Sequence, residues 1–152
     1  MIQRIQTIFL LGAVIFLVMM LFLPLAEIQA DGGVTYTGMS RGLRLESGEY
    51  AFSTWPVFIL VLVTAALLFI NIFLYRNRKL QIRICVYAIV LGFGLMGLIY
   101  YYWVLIFRQL VIENFWIRVP VIFPVAAIIL TYLAFRGIRK DEILIRSIDK
   151  IR

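Results

Sequence analysis

Four long apolar runs, at about 5–25, 55–75, 84–107 and 119–135, alternate with short stretches where charge, glycine and proline collect. The first is interrupted only by Gln6, Thr7, Gly12 and Pro24. A helix needs roughly 20 predominantly apolar residues to cross the hydrocarbon of a bilayer, and each run reaches or approaches that length. The fourth is the shortest and carries two prolines. Pro120 is expected in the first helical turn, where a missing N–H costs little, and Pro124 one turn deeper, where it bends the helix slightly. Thr131 and Tyr132 are uncharged and leave that run able to span. The pattern predicts an all-α membrane protein in which residues 1–152 form a single bundle of four transmembrane helices.

The longest connection, 26–53, has a different rhythm. Val34, Thr35 and Tyr36 are strand-type side chains, Leu43 and Leu45 alternate with Arg44 and Glu46, and Gly32, Gly33, Gly38 and Gly48 punctuate them. A small β-hairpin or meander follows, read first as a lid over the helix ends and second as a ligand-binding loop. The connection at 108–118 is shorter. Its Phe115 and Trp116, like Trp55, Tyr100, Tyr101, Tyr102 and Trp103, suit the headgroup level of a bilayer.

The tail, 136–152, reads RGIRKDEILIRSIDKIR. On a helix, Leu144, Ile148 and Ile151, extended by Ile145, make an apolar stripe, while Arg146, Asp149, Lys150 and Arg152 take the polar side. Glu142 and Arg146 are spaced for a favourable helical pair. This predicts a cytoplasmic amphipathic helix with Arg136, Arg139, Lys140, Asp141, Glu142 and Arg146 as contacts. Those contacts go either to anionic headgroups or to a protein partner.

Composition strengthens the membrane reading. With 64% of 152 residues hydrophobic and a mean hydropathy of +1.00, the chain holds more apolar surface than one small core can enclose. The 15 Lys and Arg outnumber the 8 Asp and Glu. They flank the apolar runs, a topology signal that points away from nucleic acid as a partner. Arg4, the 76–83 cluster and the tail hold 11 basic residues; Arg41, Arg44, Arg108 and Arg118 make 4 on the alternate side. Short loops rich in Lys and Arg stay in the cytoplasm, so both termini are predicted inside. In a bacterium this is the inner membrane, with the 26–53 loop in the periplasm beside Glu27, Asp31, Glu46, Glu49 and Glu113. The first run is read as a retained helix, because it exceeds a signal-peptide core and Ile28 suits poorly a cleavage after Ala30.

One cysteine, Cys85, and no histidine exclude an intrachain disulfide and the usual metal and His-based catalytic sites; no metal and no cofactor are expected. No charge falls mid-span, which argues against a proton-driven pump. The remaining in-span polar groups are Thr64, Asn71, Thr131, Tyr87 and Tyr132. Asn71 is expected to hydrogen-bond a neighbouring helix. Gly92, Gly94 and Gly97 predict close helix packing, with Gly94 and Gly97 sharing a face. Cys85 is read as a small apolar side chain.

MIQRIQTIFLL at the start, LFLP at 21–24 and the tail together resemble the four-span membrane proteins of Bacteroidota grouped as domain of unknown function 4293. The family's tail pattern, RxIRKDExLVRSxDRIR, is matched by Arg136, Ile138, Arg139, Lys140, Asp141, Glu142, Leu144, Arg146, Ser147, Asp149, Ile151 and Arg152, with Ile145 and Lys150 as mild departures. The resemblance implies a small inner-membrane protein of this topology and supplies no catalytic residues. Three functions are expected in descending order. The first is a non-enzymatic accessory or scaffold subunit of a larger membrane protein complex. The second is a binder or carrier of a lipid or hydrophobic small molecule, lodged near 92–97 or below the lid. The third is a membrane enzyme using the outer acids.

Overall fold

The computed structural model describes residues 2–30, 33–75, 77–110 and 112–149, with side chains described from 5 to 144 of these. Four α-helices run α1 (Ile2–Phe22), α2 (Trp55–Phe73), α3 (Arg78–Gln109) and α4 (Phe123–Asp149). All four are long and apolar enough to cross a membrane. Each neighbours the next around a ring, α1 on α2, α2 on α3, α3 on α4 and α4 on α1. This is an up-down-up-down bundle with both chain ends on the side opposite the long connection.

The packing follows from one repeated spacing. The buried series are Gln6, Leu10, Ala13, Leu17 and Met20 in α1, and Ala127, Thr131, Ala134, Ile138 and Asp141 in α4. In α2 they are Val57, Val61, Thr64, Leu68 and Asn71, and in α3 Gln81, Cys85, Ala88, Gly92, Leu95 and Ile99. Each advances by alternating steps of four and three, the 3.5-residue period that keeps one seam turned to its neighbours in a left-handed bundle. The opposite faces stay apolar: Ile8, Ile59, Phe69, Val90, Phe93 and Ile129 are all exposed. A helix apolar on both faces suits an apolar surrounding, as a membrane-spanning helix has.

Small residues bring α4 close. A Cβ on Gly92 would lie 2.7 Å from Ile128 Cγ1, and one on Gly12 3.2 Å from Leu130 Cδ1. Gly94 and Gly97 differ from expectation, since a Cβ on either would meet nothing within 4 Å. Both are exposed, because the seam passes through Gly92 and Leu95 and leaves the pair on the outer flank.

The connections form one sheet. Strands β1 (Ala26–Ala30), β2 (Val34–Met39), β3 (Gly42–Leu45) and β4 (Tyr50–Ser53) come from the long loop and β5 (Ile112–Ile117) from the short one. All pair antiparallel in the order β4-β3-β2-β1-β5. The hairpin or meander expected in 26–53 is a four-stranded meander, and β5 from the short loop extends it to a five-stranded sheet that joins both loops. Its inner face buries Ile28 and Leu43 with Ile106 of α3, backed by Tyr36, Phe52, Leu110, Ile112 and Phe115. Gly42 is fixed by proximity, as a Cβ there would sit 2.2 Å from the Phe52 carbonyl oxygen.

Two boundaries move. A 3-10 turn at Val119–Ile122 contains Pro120 and shifts the α4 start to Phe123, so Pro124 lies in the first turn and bends nothing. The tail is not a separate helix: α4 runs unbroken through it to Asp149. At 1.5 Å per residue its 27 residues span about 40 Å, beyond the roughly 30 Å of a hydrocarbon core.

Candidate functional site

The end of the bundle that carries the termini concentrates the polar chemistry. Gln6 in α1 donates from Nε2 to Asp141 Oδ2 of α4 at 2.6 Å, and both residues are buried. One turn earlier Gly137 makes room, since a Cβ there would meet the Gln6 side chain at 3.1 Å. Asp141 lies on the α4 seam one turn past Ile138, so it faces α1 and is buried there, rather than standing among the exposed headgroup or partner contacts expected of the tail. This buried hydrogen bond holds the α4 extension against α1.

Beside it, Asn71 of α2 donates from Nδ2 to Cys85 Sγ of α3 at 3.1 Å. Its backbone carbonyl accepts from Gln81 Nε2 at 3.2 Å, so an α3 side chain covers a carbonyl at the α2 C-terminus. Asn71 Oδ1 is buried with no hydrogen-bond partner among the described residues. Cys85 is thus more than a small apolar filler. Thr64 and Thr131 each donate to the carbonyl four residues back, Leu60 and Ala127, at 2.7 Å, which satisfies the hydroxyl inside its own helix.

Around this core the end is basic. Arg136, Arg139 and Lys140 are exposed on α4, while Glu142 is partly covered. The Arg146 side chain lies outside the described residues, as do Asp31, Gly32, Arg76, Lys150, Ile151 and Arg152. Between α3 and α4 an open groove of about 540 Å³ is lined by Lys79, Ile82, Arg83 and Val86 on one wall and Phe135, Arg139, Glu142 and Ile143 on the other.

The sheet end is built differently. Ser40 Oγ donates to the Leu21 carbonyl in the last turn of α1 at 3.3 Å, and Thr54 Oγ1 to the Ser40 carbonyl at 3.1 Å. Arg41 lies 4.5 Å over the Phe58 ring of α2. Phe115 packs against Trp103 and Phe107 of α3, with ring centres 5.4 and 5.0 Å apart. It therefore serves the sheet's core rather than a headgroup belt, whereas Trp116 remains exposed. Beneath the sheet, Leu25, Met39, Val57, Ile99, Tyr102 and Ile106 help line a partly open cavity of about 30 Å³. That is about one water's share of liquid volume and far below the roughly 300 Å³ of a small-ligand pocket.

Among the described residues the outer acids do not converge. Glu46 and Glu49 sit at the β3–β4 turn, and Glu27 and Glu113 lie toward the opposite edge on β1 and β5. Glu27 is paired with Arg118 at 2.6 Å on the exposed face. Among the described residues no three His, Cys, Asp or Glu are grouped so as to hold a metal ion.

The family model described as "Domain of unknown function (DUF4293)" matches residues 2–151, which takes in every helix and strand. The chain belongs to that family. No curated protein matches it. In this DUF4293 chain, Gln6 and Gln81 are the site residues that sequence reasoning passed over. Their signal was available, since each stands on the same four-three spacing as the buried apolar residues of its helix.

Proposed function

We propose that this protein is a non-enzymatic accessory or scaffold subunit of a larger complex in the bacterial inner membrane, with both termini in the cytoplasm and the sheet outside. The observation that carries this reading is the α4 extension. It continues an in-membrane helix without a break and is tied to α1 through Gln6 and Asp141. It thereby presents Arg136 and Lys140, with the exposed apolar side chains Ile143 and Leu144, in fixed positions. A preordered surface of charge around apolar residues suits protein docking, because little conformational entropy is lost on binding. The filled seam and the separated acids support a role without turnover.

The test is purification of the full chain from its native membrane in mild detergent, with crosslinking and mass spectrometry. The expected result is a reproducible set of partners crosslinked to the 136–144 segment, lost in R136E/K140E while thermal stability is kept. Partners fully retained by that variant, or a protein recovered alone in several mild detergents, would overturn the proposal.

A further inference from the structure

The α3–α4 groove at the termini end combines two chemistries in one surface. Lys79 and Arg83 on α3 and Arg139 on α4 bring three cations to its walls against the single acid Glu142. Ile82, Val86, Phe135 and Ile143 make the remaining lining apolar. The cations stand toward the α3 start, where the helix N-terminus adds a partial positive charge and no acidic side chain occupies the first turn. Moving along α3 toward the sheet, the same flank changes from Lys79 and Arg83 to Val86, Val90 and Phe93 at helical spacing, and these three are exposed and apolar. A soluble anion would use the first part of this surface and leave the second bare.

We propose that this groove is a binding site for an anionic phospholipid, with the phosphate held by Lys79, Arg83 and Arg139 and an acyl chain laid along Val86 and Phe135. Charge complementarity selects the headgroup, since each Lys or Arg near an anionic lipid surface adds about a factor of five to affinity. The apolar flank selects a lipid over free phosphate. The site depends on the four helices spanning the membrane; it shares Ile143 with the docking surface but neither Arg136 nor Lys140, so R136E/K140E leaves its three cations in place and the two readings fail separately.

Native mass spectrometry of the full chain, delipidated in detergent and titrated with phosphatidylglycerol or phosphatidylcholine of identical chains, tests it. Phosphatidylglycerol is expected to bind about tenfold or more tightly, and K79Q/R83Q/R139Q to remove that preference. R44Q/R108Q, at the sheet end, is expected to keep it. Equal binding of the two lipids by the unaltered protein overturns the proposal without any variant that must fold. So does an equal loss in the two multiple variants, which would mean attraction by total charge. Displacement of the lipid by millimolar inorganic phosphate would make the groove a soluble-anion site. Occupation of the groove by an acidic protein segment, seen as crosslinks from Lys79 in native membranes that persist when excess phosphatidylglycerol is supplied, would likewise overturn it.

Discussion

At the scale of single residues, the three glycines of α3 separate by what surrounds them. Gly92 holds Ile128 of α4 against its backbone, and an added Cβ at 2.7 Å from Cγ1 forces that side chain or the helix itself to move. G92A is expected to lower stability by about 1–3 kcal/mol, the usual range for overpacking. G94A and G97A meet open space. They are expected to be neutral or to stabilise by up to about 1 kcal/mol through helix propensity. Thermal unfolding in one detergent at one concentration checks all three, and I128A placed in the G92A background is expected to recover part of the loss. A G94A penalty equal to that of G92A would show that the outer flank is itself covered by another helix. The same contrast locates what was legible. Glycine spacing identified a small-residue face, but which of three glycines faces inward depends on the phase of the seam. Only the polar side chains mark that phase. Gln6, Thr64, Asn71, Gln81, Thr131 and Asp141 all lie on it, since an amide, hydroxyl or carboxylate is costly against hydrocarbon and turns toward a partner.

Among the elements, the helices were readable because bilayer thickness imposes a length that composition displays directly. The sheet was readable only by halves. The alternation of Leu43 and Leu45 with charge announced the meander within 26–53. Nothing local announced β5, whose order rests on pairing with β1 across the molecule. In isolation Phe115 and Trp116 read equally well as headgroup anchors, and the tertiary setting separates them, with Phe115 turned inward onto Trp103 and Phe107. F115A is accordingly expected to loosen β5 and the sheet by about 2–4 kcal/mol while sparing the bundle. Limited trypsin digestion should then cut at Arg41 or Arg44 much faster than in the unaltered protein, with helical circular dichroism unchanged. Digestion at the original rate would mean that β1 holds the sheet without β5. The α4 boundary failed for a related reason. The change from apolar to charged at Arg136 marks a change of composition and carries no information about the helix, which Ile138 and Asp141 continue through their contacts with the bundle.

For the whole molecule, the two ends differ in how their charges can be satisfied. At the sheet end Arg118 is paired with Glu27 and Arg41 rests on an aromatic face. At the other end, basic side chains outnumber acids and stand around a groove open to its surroundings. Moving that second end across a membrane would strand several cations and drag the buried Gln6–Asp141 contact through hydrocarbon, whereas the sheet end, with acids and bases in near balance, can be exported. Orientation is therefore predicted with the termini inside. Ser47 in the β3–β4 turn and Lys140 on α4 are both exposed, and Cys85 is buried, so single cysteines at those two positions report the two sides without altering Cys85. A membrane-impermeant maleimide applied to intact spheroplasts is expected to label S47C and not K140C. Permeabilisation should then label both, and the unaltered protein should stay unlabelled until it is denatured. Labelling of K140C alone before permeabilisation would invert the orientation and move the lipid groove to the outer leaflet. Labelling of both would require an odd number of crossings between Ser47 and Lys140 to be lost, which the continuous seams of α2, α3 and α4 do not allow.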